Sequence, residues 1–300
     1  MDAAEPLNLA TLAPYLSDKE KAAQYLESIR WPDGVVCPKC GESEREPYRL
    51  KNQKRRLWKC RACRQQFTVT VGTIFESSHI GLDKWLLAFY LLCSSKKGMS
   101  AHQLHRSIGV TYKTAWFMFH RIRHAMDQGP FQGQLSGIVE VDETYIGGRA
   151  RGKGMGYKGN KAPVVSLVER QGNVRSMHIA DVTSYTLKRA VREHVAADSR
   201  LMTDEWAGYT GLDRSFASHE TVKHAAAEYV RGDAYTNTVE SYFATLKRGI
   251  EGVYHHVSRE HLSRYLSEFD FRYNTRGMSD GHRTIAALAQ TEGKRLRYAD

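Results

Sequence analysis

Nowhere does the chain of 300 residues offer an apolar run fit to cross a bilayer. The longest, residues 85–93, is nine residues where about twenty are needed. The N-terminus lacks the basic-then-apolar pattern of an export signal and carries acids instead, Asp2 and Glu5. A basic amphipathic helix of the membrane-surface kind is also missing. A soluble, cytoplasmic protein with no membrane partner is therefore expected. What is present suffices for a folded core: 41% hydrophobic and 26% charged residues exclude a disordered tail. The length suits two or three domains.

Acids are short of bases, and unevenly so. The net charge is +11; residues 31–80 carry +5, residues 81–130 carry +5, and the remaining two hundred residues almost balance. A solubility bias would be spread along the chain. A basic excess confined to one third is the pattern of a module that binds a polyanion, and nucleic acid is the expected partner.

Cysteine is scarce too, and its placement is informative. Four of the five form two knuckles, CPKC at 37–40 and CRAC at 60–63, with nineteen residues between them. A C-x2-C turn aims two thiolates at one ion, and two such turns complete a tetrahedral sulfur shell. Cys37, Cys40, Cys60 and Cys63 are thus expected to hold one structural Zn²⁺. Short strands are expected around 48–50 and 56–59, continuing at 67–71, which makes a zinc ribbon. Lys51, Lys54, Arg55, Arg56, Lys59, Arg61 and Arg64 would face phosphates. Cys93 lies in an apolar helical pattern and is expected in the core.

Residues 82–126 read as three helices. Ser100 caps a short second one, Gly109 lies in the turn, and Thr111 caps the third. This is a helix-turn-helix plan, with Tyr112, Lys113 and Thr114 as the readers of a DNA groove. Trp116, Phe117 and Ile122 are expected in its core, and His120 and His124 on a solvated or phosphate-facing edge.

From residue 137 the periodicity shortens to that of strands: 137–146, 162–168, 174–179 and 201–204, with a helix at 186–195 before the last. Residues 149–161 hold five basic residues, several glycines and no acid, and are expected to form a mobile, phosphate-seeking loop. The anomaly is acids beside apolar strands. Asp142 and Asp204 each end an apolar stretch, and Glu240 lies in a helical stretch after them. Three such carboxylates can hold two Mg²⁺ ions, roughly 3.5–4 Å apart, that clamp the attacking and leaving oxygens of a phosphoryl transfer. Glu140 shares a strand face with Asp142 and is its local rival for metal, whereas Glu143 points away. Glu205 is expected to cap or pair with a base. Lys247, two helical turns beyond Glu240, could grip a DNA phosphate.

At this point the chain resembles the DDE transposases of bacterial insertion sequences, in the zinc-ribbon group related to the Merlin transposons. The matching blocks are VEVDETYIGG (139–148), TDEW (203–206) with Tyr209, NTVES (237–241), LKRGI (246–250), YHHVS (254–258) and EFDFRYN (268–274). Tyr235 departs from the histidine common in relatives. The resemblance implies an α/β RNase H-like catalytic domain with C-terminal helices, and Mg²⁺ or Mn²⁺ dependence. It implies Asp142, Asp204 and Glu240 as catalytic acids, and cutting and joining of double-stranded DNA at transposon ends. Two ends must meet, so a homo-oligomer is expected, in a bacterial cytoplasm and associated with the nucleoid. The expected division is a helical segment at 1–33, the ribbon at 34–72, the helix-turn-helix at 80–130 and the catalytic domain at 135–300. Two other functions fit the same parts: a DNA-binding regulator with an inactive transposase-derived domain, and a metal-dependent nuclease of RNase H-like fold.

Overall fold

The computed structural model describes residues 8–51, 56–127, 133–148, 161–222 and 230–297. The chain forms two compact units: residues 1–127 together with 277–300, and residues 128–276.

The first unit opens with two helices, α1 (Leu9–Leu16) and α2 (Lys19–Arg30). An antiparallel sheet of three two-residue strands follows: β1 (Tyr48–Arg49), β2 (Trp58–Lys59) and β3 (Gln66–Phe67), in that order. The third strand stops at Phe67 rather than running on, because Thr68 begins a turn in which its carbonyl accepts from the Val71 N–H. The sheet is riveted to α2. Glu27 is buried and takes Arg56 Nε and Nη2 at 2.9 and 2.6 Å and Trp58 Nε1 at 2.9 Å, while Arg56 Nη1 reaches Glu20 at 2.7 Å. Arg56 is therefore an internal tie and not a phosphate contact.

Helices α3 (Leu82–Ser94), α4 (Ala101–Ile108) and α5 (Tyr112–Met126) follow, and the last two have the expected caps. Ser100 Oγ accepts from the Gln103 N–H, and Thr111 Oγ1 from the Thr114 N–H. Gly109 ends α4 at φ 62°, a left-handed conformation that costs glycine nothing. His120 is fully buried against Trp116, which corrects the expectation of a solvated edge; Trp116 and Phe117 are half-buried. The end of the expected 135–300 domain also falls elsewhere. Helix α9 (Asp280–Ala289) packs on α3, Arg283 donates to the Cys93 carbonyl, and Lys294 donates to the carbonyls of Ala125 and Asp127. An apolar stripe tells that a helix must pack, but not against which partner.

The second unit is built on one five-stranded sheet. Its strands are β4 (Ile138–Ile146), β5 (Ala162–Glu169), β6 (Val174–His178), β7 (Arg200–Asp204) and β8 (Ser218–Val222), in the order β6-β5-β4-β7-β8. The β4–β5–β6 hairpins are antiparallel, whereas β7 and β8 run parallel to β4. Helix α6 (Ser184–His194) connects β6 to β7 and covers Val139, Val141, Val165 and Leu167 on one face. Helices α7 (Asn237–Gly249) and α8 (Arg259–Asn274) cover Ile146, Val164, Val168 and Val174 on the other. Apolar residues on both faces are the mark of a strand buried from both sides, and β5 is such a strand.

Where α8 crosses β6, Asp270 accepts from the Ser176 N–H at 2.7 Å, the Ser176 hydroxyl at 2.8 Å and the Tyr242 hydroxyl at 2.5 Å. Burial outweighs these bonds and pushes the carboxyl up to about 6. The folded unit thus holds this proton more tightly than the unfolded chain. The associated stability is complete below about pH 4 and is lost as pH rises through about 6. Discounted for partial exposure of the residue, it is on the order of 2 kcal/mol. Denaturant midpoints between pH 4 and 7 are expected to fall less steeply with rising pH in Asp270→Asn than in the wild type.

Candidate active site and metal centre

The two knuckles meet as their spacing requires. The Sγ atoms of Cys37 and Cys63 lie 3.8 Å apart, those of Cys40 and Cys60 3.7 Å, and all four fall within 4.8 Å of one another. Four sulfurs about 2.3 Å from a tetrahedral zinc would be about 3.8 Å apart, so the quartet fits that ion. Each knuckle closes on a left-handed residue, Gly41 at φ 74° and Arg64 at φ 61°. Burial opposes ionisation of Cys60. The N–H groups of Cys63 and Ala62, with the neighbouring thiols, outweigh it and bring Cys60 down to about 7.

In the second unit the central strand supplies Asp142. In the parallel pairing of β4 with β7, Glu140 lies opposite Met202; carried two residues on, that register puts Asp142 level with Asp204. Adjacent strands are about 4.8 Å apart, so the two carboxylates leave one sheet face as neighbours. Glu240 comes from the first turn of α7, the helix that lies on that face. Each carboxylate is oriented by a donor. The Glu143 N–H reaches Asp142 Oδ1 at 2.7 Å, the Trp206 N–H reaches Asp204 Oδ1 at 3.0 Å, and the Thr236 hydroxyl reaches Glu240 Oε1 at 3.1 Å.

Burial raises the Asp142 carboxyl to about 7, against the Glu143 N–H. The negative charges of Glu143, Asp204 and Glu240 push the same way. The strand, its neighbour and the helix therefore gather acids closely enough to oppose ionisation of Asp142, and a divalent cation relieves that repulsion. The gathering is looser than at the thiols. Among the described residues, the cysteine quartet is the one set of three or more metal-ligand side chains drawn within 4.8 Å.

The rival acids are engaged elsewhere. Glu143 accepts from the Tyr209 hydroxyl at 2.6 Å on the opposite face. Glu140, completely buried, accepts Arg170 Nε at 2.7 Å and the backbone of α7. Tyr235 stacks under the Arg170 guanidinium, 3.5 Å from its ring centroid. Sequence reasoning missed Arg170, which reads as an ordinary surface charge in the turn after β5. Lys247 is exposed on α7 and lines a cavity of about 70 Å³ with Tyr145, Gly147, Gly148, His255 and His256, just past the end of β4.

The expected DNA readers sit at the start of α5. Tyr112 is 45% exposed and stacks on His102 with centroids 4.2 Å apart; Lys113 is exposed and Thr114 half-buried. Lys54 and Arg55 lie outside the described residues, as does the 149–161 loop up to residue 160.

A transposase zinc-ribbon domain matches residues 17–66, so the match takes in α2, to which the ribbon is tied. An ISXO2-like transposase domain matches residues 134–274, the second unit almost end to end. An uncharacterised protein in transposable element ISH50 of Halobacterium salinarum is 32% identical over 272 residues, covering 85% of this chain and 90% of that protein. An uncharacterised transposase-like protein of Haemophilus influenzae is 30% identical over 101 residues, covering 34% of this chain and 80% of that protein.

Proposed function

Because the chain belongs to the transposases that carry a zinc ribbon and an ISXO2-like domain, we propose that it binds the terminal inverted repeats of an insertion sequence and cuts and joins their strands. The observation that carries this reading is the convergence of Asp142, Asp204 and Glu240 on one sheet face, with Asp142 raised to about 7 by burial and by its acidic neighbours. The sheet order, three antiparallel strands continued by two parallel ones, supports an RNase H-like catalytic domain.

Asp142, Asp204 and Glu240 are the residues that would hold two Mg²⁺ or Mn²⁺ ions. Bound there, the ions supply charge neutralisation and activation of the attacking oxygen in phosphoryl transfer. The chain's own part is positioning. Trp206, Thr236 and the Glu143 N–H aim the carboxylates, and Lys247 takes a DNA phosphate beside them. One site serves both steps: water attacks the phosphodiester at the element's end and displaces its 3′-hydroxyl, which then attacks a phosphodiester of target DNA and displaces the target's own 3′-hydroxyl. In the first unit α3–α5 act as a helix-turn-helix in which Tyr112, Lys113 and Thr114 read bases, while Lys54 and Arg55 contact phosphates. Pairing of two ends calls for a homo-oligomer.

The test is incubation of the purified protein with duplexes carrying the element's ends, a target plasmid and Mg²⁺. Nicked ends and joined products are expected; cleavage without joining would make the protein a nuclease, and end binding alone a regulator. Affinity for the ends is expected to fall by on the order of 10³ between 50 and 200 mM salt, as for about six phosphate contacts. Lys113→Ala should relax sequence preference, whereas Lys54→Ala with Arg55→Ala should weaken all sequences alike. Binding insensitive to salt would refute this interface.

A further inference from the structure

Helix α7 begins without a cap of its own. Thr236 precedes it but makes no capping hydrogen bond from its side chain. The first N–H groups turn to β4 instead: Glu140 Oε2 accepts from Thr238 at 2.8 Å and from Val239 at 3.0 Å, and Oε1 takes the Thr238 hydroxyl at 2.8 Å. Oε1 also takes Arg170 Nε at 2.7 Å. The other guanidinium nitrogens donate to the carbonyls of Asp233 at 2.7 Å and Tyr235 at 2.9 Å, in the segment that leads into α7. Among the described residues, all the partners of this buried carboxylate are donors.

We propose that Glu140 and Arg170 are a positioning pair that fixes Glu240 relative to Asp142 and thereby sets how tightly the carboxylates hold divalent cations. The proposal rests on the metal-site reading given above. Glu140 precedes Asp142 by two residues, so both leave the same face of one strand. Glu240 follows Thr238 by two residues, so its place depends on where α7 starts. A Ser or Asp cap at position 236 would tie the helix only to itself. A cap reaching over from β4 ties the helix to the strand that bears Asp142, and the separation of the two acids is set through two short steps. Arg170 holds the incoming segment to the same carboxylate. Its fork makes three bonds in one plane, which a lysine cannot reproduce. Outer-shell partners of this kind orient metal ligands, and their loss weakens metal affinity by about 10–100-fold.

The experiment is Mn²⁺ binding to the full-length protein without DNA, followed by calorimetry and by the electron paramagnetic resonance of free Mn²⁺. Arg170→Lys is expected to weaken Mn²⁺ binding by about 10–100-fold and to speed amide exchange at Thr238 and Val239. Binding of duplex ends should be retained. The Mg²⁺ needed for half-maximal cleavage should rise by the same factor, with the rate at saturating Mg²⁺ little changed. Thr238→Val keeps shape and removes a single bond to Glu140. It serves if Arg170→Lys does not fold, and should shift Mn²⁺ affinity in the same direction by a smaller factor. Wild-type Mn²⁺ affinity in a folded Arg170→Lys, or in Thr238→Val where Arg170→Lys fails to fold, would overturn the proposal. If Asp142→Ala also bound Mn²⁺ like the wild type, the metal-site reading itself would be wrong, and the positioning role would fall with it.

Discussion

Asp142→Ala, Asp204→Ala and Glu240→Ala are each expected to lower strand cleavage and joining by at least on the order of 10³-fold, the scale of losing several kcal/mol of transition-state charge stabilisation. Binding of the element's ends should change little, because the helices proposed to read the groove lie in the first unit and all three acids in the second. The asparagine and glutamine versions should be nearly as impaired, since an amide keeps shape but loses the charge that attracts the cations. Gel-resolved nicking of end-labelled duplexes gives the first number, and a mobility shift of the same duplex gives the second. Full strand transfer by Glu240→Ala would move attention to Glu251, which lines the cavity beside Lys247. Asp233 is a poorer substitute because Arg200 already holds it at 2.9 Å. Three silent variants would place the chemistry on other residues.

Removing zinc is expected to have an effect of similar size on the other unit. Three strands of two residues each cannot carry a fold by hydrogen bonding alone, and in zinc-dependent modules the metal supplies about 10–16 kcal/mol of apparent binding energy. One zinc per chain should be found by elemental analysis, and Cys60→Ala or a strong chelator should abolish it. Without it the knuckles open, Arg56 and Trp58 withdraw from Glu27, and α2 loses the partner that rivets it to the ribbon. End binding should then collapse while the unfolding midpoint of the second unit holds. A ribbon that stays folded in Cys60→Ala would argue that the four thiols are a packing feature only.

Much of this was legible in the sequence, for local reasons. Two C-x2-C turns, Ser100 and Thr111 as caps, Gly109 at a helix end and the alternation through 138–146 are short-range signals, and the structure has each where its spacing requires. Features that depend on distant partners were not legible. Strand β8 has the sequence Ser-His-Glu-Thr-Val, too polar to announce itself, and it is an edge strand, where polar side chains are the rule. His120 is polar by composition but buried by its position on α5. Glu140 looked like a possible metal ligand because alternation fixes its face. Alternation says nothing of the arginine thirty residues on that claims it. At the acids, sequence order pointed to strand, strand and helix; the parallel register of β4 and β7 is what makes the first two level.

The return of residues 277–300 to the first unit has a consequence for how the protein is made. A ribosome that has just released residue 276 has delivered the whole second unit, whereas the first still lacks α9 and the segment that Arg121 and Lys294 hold against α5. At ordinary elongation speeds, residues 128–276 take roughly ten to thirty seconds to synthesise. For that interval the nascent chain holds an unfinished first unit, with α3 lacking one of its packing partners. The unit that bears the three acids thus matures before the unit that carries the ribbon, and a chain cut after residue 276 would lose packing in the first unit rather than in the second.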